Sequence, residues 1–289
     1  MSPLFLIAFC YGIAIRSGQT TLPDFFPTRW KVRKAIRARR QQLLAAFLMG
    51  FIFAVFAGTR AARAEGAEAA LVTAGAGTVG YDISWPQCGE PNPQGEIGFA
   101  VIGLTGGKPF TRNRCFDAQY QWARQAEAHP DVYINLDYPK TTDWNTFVGP
   151  AGICMGGQAA CVAYNWGYNS ARDAVALARA KGITPTVWWL DVEQENYWSP
   201  EKGANERVVS GAIDYLKAQG LNIGVYSTSY QWGEITGGYR PNVRAWVAGA
   251  RNLAEAEKKC GQASFTGGPV AMVQWVEKFD RNLICAAGR

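Results

Sequence analysis

Short runs of β-branched and aromatic residues alternate along the chain with longer stretches of helical periodicity. TVGYDIS (78–84), IGFAVIGL (97–104), VYINLDY (132–138), TPTVWWLDVE (184–193), NIGVYSTS (222–229), VRAWVAGA (243–250) and VAMVQWVEK (270–278) predict strands, and DRNLIC (280–285) predicts a weaker eighth. Residues 114–128, 161–182, 205–220 and 252–261 carry apolar positions at helical spacing, with Gly182 and Gly220 placed as helix stops. This alternation predicts parallel strands joined by helical crossovers. Apolar runs such as FAVIGL predict strands covered on both faces. The expected fold is a single α/β domain, a (β/α)8 TIM-like barrel with some helices irregular or missing. A doubly wound sheet is the alternative, but GLTGG after the second strand lacks the Gly-x-Gly-x-x-Gly spacing of its phosphate fingerprint.

The first part of the chain follows another pattern. Basic residues crowd 29–40 (RWKVRKAIRARR), the uncharged stretch LLAAFLMGFIFAVFAG follows at 43–58, and Ala62-Arg63-Ala64 comes next. This order predicts a secretory leader over residues 1–64 with cleavage after Ala64. The apolar core is short for a membrane span, so a membrane role is expected only through an uncleaved leader. Residues 1–28 precede a complete signal, and a start codon assigned too early accounts for them most simply. Small residues at 65–78 predict a short linker, leaving the barrel at 79–289.

Removing the leader changes the charge. The whole chain carries 29 basic and 23 acidic residues, but ten basic residues and one acidic residue precede position 65, leaving 19 against 22. The basic pI belongs to the leader and gives no support to nucleic-acid binding. Cys88, Cys115, Cys154, Cys161, Cys260 and Cys285 remain, an even set that suits an exported, disulfide-bonded protein. Among the possible pairings, the sequential one is favoured: Cys88–Cys115, Cys154–Cys161 and Cys260–Cys285.

The stretch WWLDVEQENYW (188–198) sets acids among large aromatics. On a strand, Trp189, Asp191 and Glu193 share one face, and Trp188, Leu190 and Val192 the other. The two acids fall at the strand's C-terminal end, where barrel active sites lie. Crowded against each other and against aromatics, at least one carboxyl should resist ionising, as a general acid must near neutral pH. Asp191 and Glu193 are expected to be coupled, the charge of one raising the pKa of the other. Asp82 sits late in the first strand and Asp280 follows the seventh; Asp137 ends the third but equally shapes a turn before Pro139. Carboxylates gathered at one mouth suit cleavage of a glycosidic bond. Trp85, Trp198, Trp232 and Trp275, near strand ends or in loops, are candidate sugar platforms. Trp189 and Trp246 on strands are added to them, although Trp189 would serve equally as barrel filling. The only histidine is His129, which excludes Ser-His-Asp, Cys-His and histidine-zinc chemistry. No cofactor or metal is expected, although an all-carboxylate calcium or magnesium site could use the same acids.

In order, GYDIS, WWLDVE, VYST, AWVAGA, VQW and DRN resemble the glycoside hydrolase family 25 lysozymes and the related glycoside-hydrolase-like barrels of secreted bacterial proteins. The resemblance spans residues 79–285. It implies that Glu193 protonates the leaving oxygen, with Asp191 as its companion, and that Asp82 and Asp280 are the first-strand and late acids. It also implies that Tyr226 faces the substrate. The implied reaction cleaves the N-acetylmuramic acid–N-acetylglucosamine link of peptidoglycan, with the substrate's acetamido group a potential participant. Two departures stand out: IGLTGG (102–107) replaces the family's Lys and Thr-Glu-Gly, and the 139–161 loop carries a Cys pair. The expectation is an exported, monomeric glycoside hydrolase acting on peptidoglycan or a related glycan. The alternative is a catalytically inactive glycan-binding or structural envelope protein on the same barrel.

Overall fold

A computed structural model describes residues 73–140, 144–155 and 157–286. The leader, its cleavage after Ala64 and linker positions 65–72 lie outside these residues. Among the described residues, no helix is long and apolar enough to cross a membrane.

The eight predicted strand regions form one closed barrel. Its strands are β1 (Val79–Ile83), β2 (Ala100–Gly103), β3 (Asp131–Asn135), β6 (Trp188–Asp191), β7 (Ile223–Ser227), β8 (Arg244–Ala250), β9 (Val270–Val276) and β10 (Asp280–Ile284). The two-residue strands β4 (Val148–Gly149) and β5 (Gly152–Ile153) make a separate small hairpin. Around the barrel the order is β1-β10-β9-β8-β7-β6-β3-β2.

One expectation is corrected. The barrel is not parallel throughout, because β10 runs antiparallel to both β9 and β1. Only residues 277–279 separate β9 from β10, too few for the crossover that a parallel strand needs. The helices are α1 (Phe116–Ala123), α2 (Trp144–Phe147), α3 (Ala159–Ala180), α4 (Lys202–Ala218), α5 (Ser229–Thr236) and α6 (Leu253–Cys260). Helix α5 was not predicted. Thr228 caps it by accepting from the Gln231 N–H, and Gly237 ends it at φ 70°.

Strand alternation sorts the core into two parts. Trp188, Leu190, Val192, Ile134 and Val225 face the helices, whereas Trp189, Trp246, Phe99, Val101 and Met272 fill the barrel. Room for the interior aromatics comes from glycines on neighbouring strands. A Cβ on Gly224 would lie 2.1 Å from the Trp189 ring, and one on Gly103 would lie 2.8 Å from Tyr133. Three disulfides join Cys88 to Cys115, Cys154 to Cys161 and Cys260 to Cys285.

Candidate active site

The C-terminal ends of the parallel strands converge on a cavity of about 150 Å³. Asp82, Asp191, Glu193 and Asp280 line it, together with Tyr133, Tyr226, Trp246 and Gln274. Asp191 ends β6 and Glu193 lies two residues beyond, on the same face. Asp280 reaches this mouth because β10 is reversed: its first residue, not its last, lies at the C-terminal end of the barrel. A parallel eighth strand would have carried Asp280 to the opposite face.

Amide side chains hold the two deepest acids. Asp82 accepts from Asn282 Nδ2 at 2.6 Å and from Gln274 Nε2 at 3.0 Å. Burial, then the charge of Asp280, raises its pKa from 3.8 to about 7, with the two amide bonds opposing the rise. Asp191 accepts from Asn135 Nδ2, and Asn135 is itself fixed by the Thr105 hydroxyl, which donates to Asn135 Oδ1 at 2.7 Å. The Oδ1 of Asp191 is buried and meets no donor. Burial, followed by the charge of Glu193, holds the Asp191 carboxyl well above the ordinary carboxylate range. A protonated Asp191 relieves both conditions, since it carries no charge and can donate to Glu193.

Glu193 is less buried and lies toward the opening. Burial raises its pKa, followed by the charge of Glu195, while hydrogen bonding to Asp191 opposes the rise. The charge coupling expected between the two acids acts on Asp191, the deeper group, which the charge of Glu193 raises, whereas Asp191 acts on Glu193 through a hydrogen bond that lowers it. Burial also raises the Tyr133 and Tyr226 phenols well above their usual range, so both remain protonated. The Tyr226 hydroxyl donates to Gln274 Oε1 at 2.8 Å, linking it through Gln274 to Asp82.

The predicted aromatics divide. Trp246 lines the cavity, its indole donating to Asn282 Oδ1 at 2.8 Å and its ring centroid 4.5 Å from that of Tyr226. Trp85 is 46% exposed on a one-turn helix (Trp85–Gln87) next to the cavity wall, with its ring over Gly107. Trp189 lies one layer deeper and lines a different cavity with Asp131 and Ala271. Trp198 is half-buried and donates to the Glu193 carbonyl at 2.7 Å, bracing the loop that carries the acid. Trp275 points away from the barrel interior, where it is buried and donates to Glu277 Oε1 at 2.8 Å. Trp232 is core on α5. Trp189, Trp198, Trp232 and Trp275 are thus absent from the carboxylate cavity.

Asp137 also stands apart: its Oδ1 accepts from the Trp166 indole at 3.1 Å, and burial raises it to about 6. Sequence reasoning missed Asn135, Thr105, Gln274 and Asn282, which position the acids. Gln274 is a buried polar residue on the otherwise apolar β9, and Asn282 is fully buried on β10, costly placements that only buried partners justify.

A closed barrel with carboxyl groups around its C-terminal mouth has the architecture of a glycoside-hydrolase-like barrel. Its sequence is similar to the family 25 lysozymes and lysozyme-like proteins. The family described as lysozyme-like protein 1 matches residues 158–265, which include Asp191, Glu193 and Tyr226. Probable GH family 25 lysozyme 4 of Dictyostelium discoideum is 43% identical over 51 residues, 18% of this chain and 24% of that protein. Lysozyme-like protein 5 of Caenorhabditis elegans is 29% identical over 69 residues, 24% of this chain and 32% of that protein. The chain thus spans about a quarter to a third of these relatives' lengths. A solved family 25 glycosyl hydrolase from Bacillus anthracis superposes with a TM-score of 0.46 at 13% identity, covering 76% of this chain and 94% of that one.

Proposed function

We propose that the protein is an exported glycoside hydrolase that cleaves peptidoglycan or a closely related glycan. The observation that carries this reading is the convergence of Asp82, Asp191, Glu193 and Asp280, from separate parts of the chain, on one cavity. Glu193 protonates the leaving glycosidic oxygen. Asp191 donates to Glu193 and stabilises the carboxylate formed when the proton leaves. Asp82 and Asp280 face the positive charge that develops on the sugar. Tyr226 and Trp246 shape the cavity around that sugar. The three disulfides fit an oxidising, extracytoplasmic setting.

Replacing Glu193 by Gln keeps the shape and removes the proton. Digestion of purified peptidoglycan should fall about 10²–10⁴-fold, the usual contribution of a positioned acid. Equal digestion by wild type and variant would refute the assignment.

A second reading retains the glycan site without turnover. It is favoured by the end of β2, where Leu104–Gly107 bring neither an acid nor a base to the cavity. Under it, wild type and Glu193→Gln bind wall glycan equally well, and neither releases product.

A further inference from the structure

Thr105 lies just beyond the end of β2, in the segment that brings neither an acid nor a base to the carboxylate cavity. It is nevertheless buried, and its neighbours in the chain are pinned. The Leu104 N–H donates to the Tyr133 carbonyl on β3 at 2.9 Å, and the Leu104 carbonyl accepts from the Asn113 N–H at 3.1 Å. The Gly106 N–H donates to the Thr111 hydroxyl at 3.0 Å.

The Thr105 hydroxyl is bonded twice to Asn135. It accepts from the Asn135 backbone N–H at 3.0 Å and donates to Asn135 Oδ1 at 2.7 Å. A backbone N–H only donates, so it occupies a lone pair of the hydroxyl and leaves the hydroxyl hydrogen for the side-chain amide. That hydrogen needs an acceptor, and only the carbonyl end of the amide is one. Asn135 is thereby held with Oδ1 toward Thr105 and Nδ2 toward Asp191, its partner across the β3–β6 ladder.

The two ends of an amide demand opposite things of a carboxyl group. With Nδ2 facing it, Asp191 Oδ2 must accept, so the acid proton belongs on Oδ1, the buried oxygen that no donor among the described residues reaches. With the amide reversed, the Asn135 oxygen would face Asp191 Oδ2 and draw the proton there. Thr105, Asn135 and Asp191 are all buried, so water does not readily replace a missing link.

We infer that Thr105 is a positioning residue that sets the direction of the Asp191 proton: by orienting the Asn135 amide, it keeps that proton on Oδ1 and available to Glu193. The inference rests on the roles proposed above for Asp191 and Glu193. Thr105 does not line the carboxylate cavity and acts through Asn135.

The test uses the full chain with Thr105→Val, which keeps the shape and removes the hydroxyl, and Thr105→Ser, which keeps the hydroxyl. Thr105→Ala is a second hydroxyl-free variant, read in the same way if the valine variant does not fold. Two quantities are measured: the rate–pH profile on peptidoglycan, and the titration of the Glu193 carboxyl by NMR without substrate. The hydrogen bond from Asp191 lowers the Glu193 pKa, so its loss in Thr105→Val should move the Glu193 titration and the upper limb to higher pH. The maximum rate should fall about three- to tenfold, the equivalent of one hydrogen bond. Thr105→Ser should restore both. A lower rate with neither the limb nor the titration displaced would make Thr105 merely structural and overturn the inference, as would a serine variant that behaves like the valine one. If wild type digests no peptidoglycan, the proposed function falls and the titration alone decides: a Glu193 shift in Thr105→Val that serine reverses supports the inference, and an unmoved titration overturns it.

Discussion

Asp82 and Asp280 stand directly opposite each other across the β1–β10 ladder. Opposed side chains on an antiparallel pair share one face and are close neighbours, so two like charges there repel. Burial raises both carboxyl groups in the folded protein, and the charge of Asp280 raises Asp82 further.

A pH dependence of stability follows. A carboxyl raised on folding binds more protons in the folded state than in the unfolded state between the two pKa values, so its contribution falls as pH rises through that window. For Asp82 the window runs from 3.8 to about 7, and Asp131 and Asp137, raised to about 6, act in the same direction. The Asp82 shift corresponds to roughly 4 kcal/mol at most. Thermal unfolding should give a higher melting temperature near pH 4.5 than near pH 7.5. Asp280→Asn should reduce the difference by removing the opposed charge. A melting temperature that climbs steadily over this range in wild type would contradict the placement of Asp82.

Asn282 joins two parts of the site. It donates to Asp82 at 2.6 Å, and its Oδ1 accepts from the Trp246 indole at 2.8 Å. Asn282→Ala leaves a buried carboxyl short of a donor and a buried indole without an acceptor. The expected cost is about 2–4 kcal/mol from two such losses, read as a lower midpoint in urea unfolding. Asn282→Asp should be worse at neutral pH than at pH 4.5, because it adds a third carboxyl beside Asp82 and Asp280.

The barrel and its acids were legible in the sequence because strand alternation is a strong signal. WWLDVE gives Trp189, Asp191 and Glu193 to one face, and that face is the barrel interior. The direction of β10 was not legible, since DRNLIC has the same period whichever way it runs; only the short EKF connection hinted at a hairpin. Trp275 was readable and misassigned: if Gln274 faces inward, its neighbour must face the helices. The depth of Trp189 depends on Gly224, whose missing side chain admits the ring. Such a pairing between distant positions has no local sequence signal. Helix α5 was hidden because SYQWGEIT is short and contains a glycine, and its cap lay at the end of an assigned strand.

The disulfides predict a chemical and a thermal result. The Cys88–Cys115 and Cys260–Cys285 bridges close segments with sequence separations of 27 and 25 residues. In the chain-entropy account each contributes about 3–4 kcal/mol. A thiol assay on the native protein lacking residues 1–64 should find no reactive cysteine, and reduction should lower the melting temperature by many degrees. Two or more reactive thiols under native conditions would show that this framework does not form.

The final prediction separates two neighbours of the proposed acid. Asp191, buried and held well above the ordinary range, should stay protonated near neutral pH and contribute a hydrogen bond to Glu193 instead of a charge. Asn at position 191 is also neutral and can also donate, so Asp191→Asn should leave the upper limb of the rate–pH profile nearly in place. The maximum rate should fall, because the amide is a weaker donor to the newly formed Glu193 carboxylate. Glu195 acts differently: it is exposed, and its charge is the main raising influence on Glu193 after burial. Glu195→Gln should lower the Glu193 pKa and move the upper limb to lower pH. The displacement should shrink at high salt, where an exposed charge is screened. Rate–pH profiles of the three proteins on one soluble glycan, at low and high salt, measure both effects. If Asp191→Asn shifts the limb and Glu195→Gln does not, Asp191 carries the charge and the proton assignment within the pair is reversed.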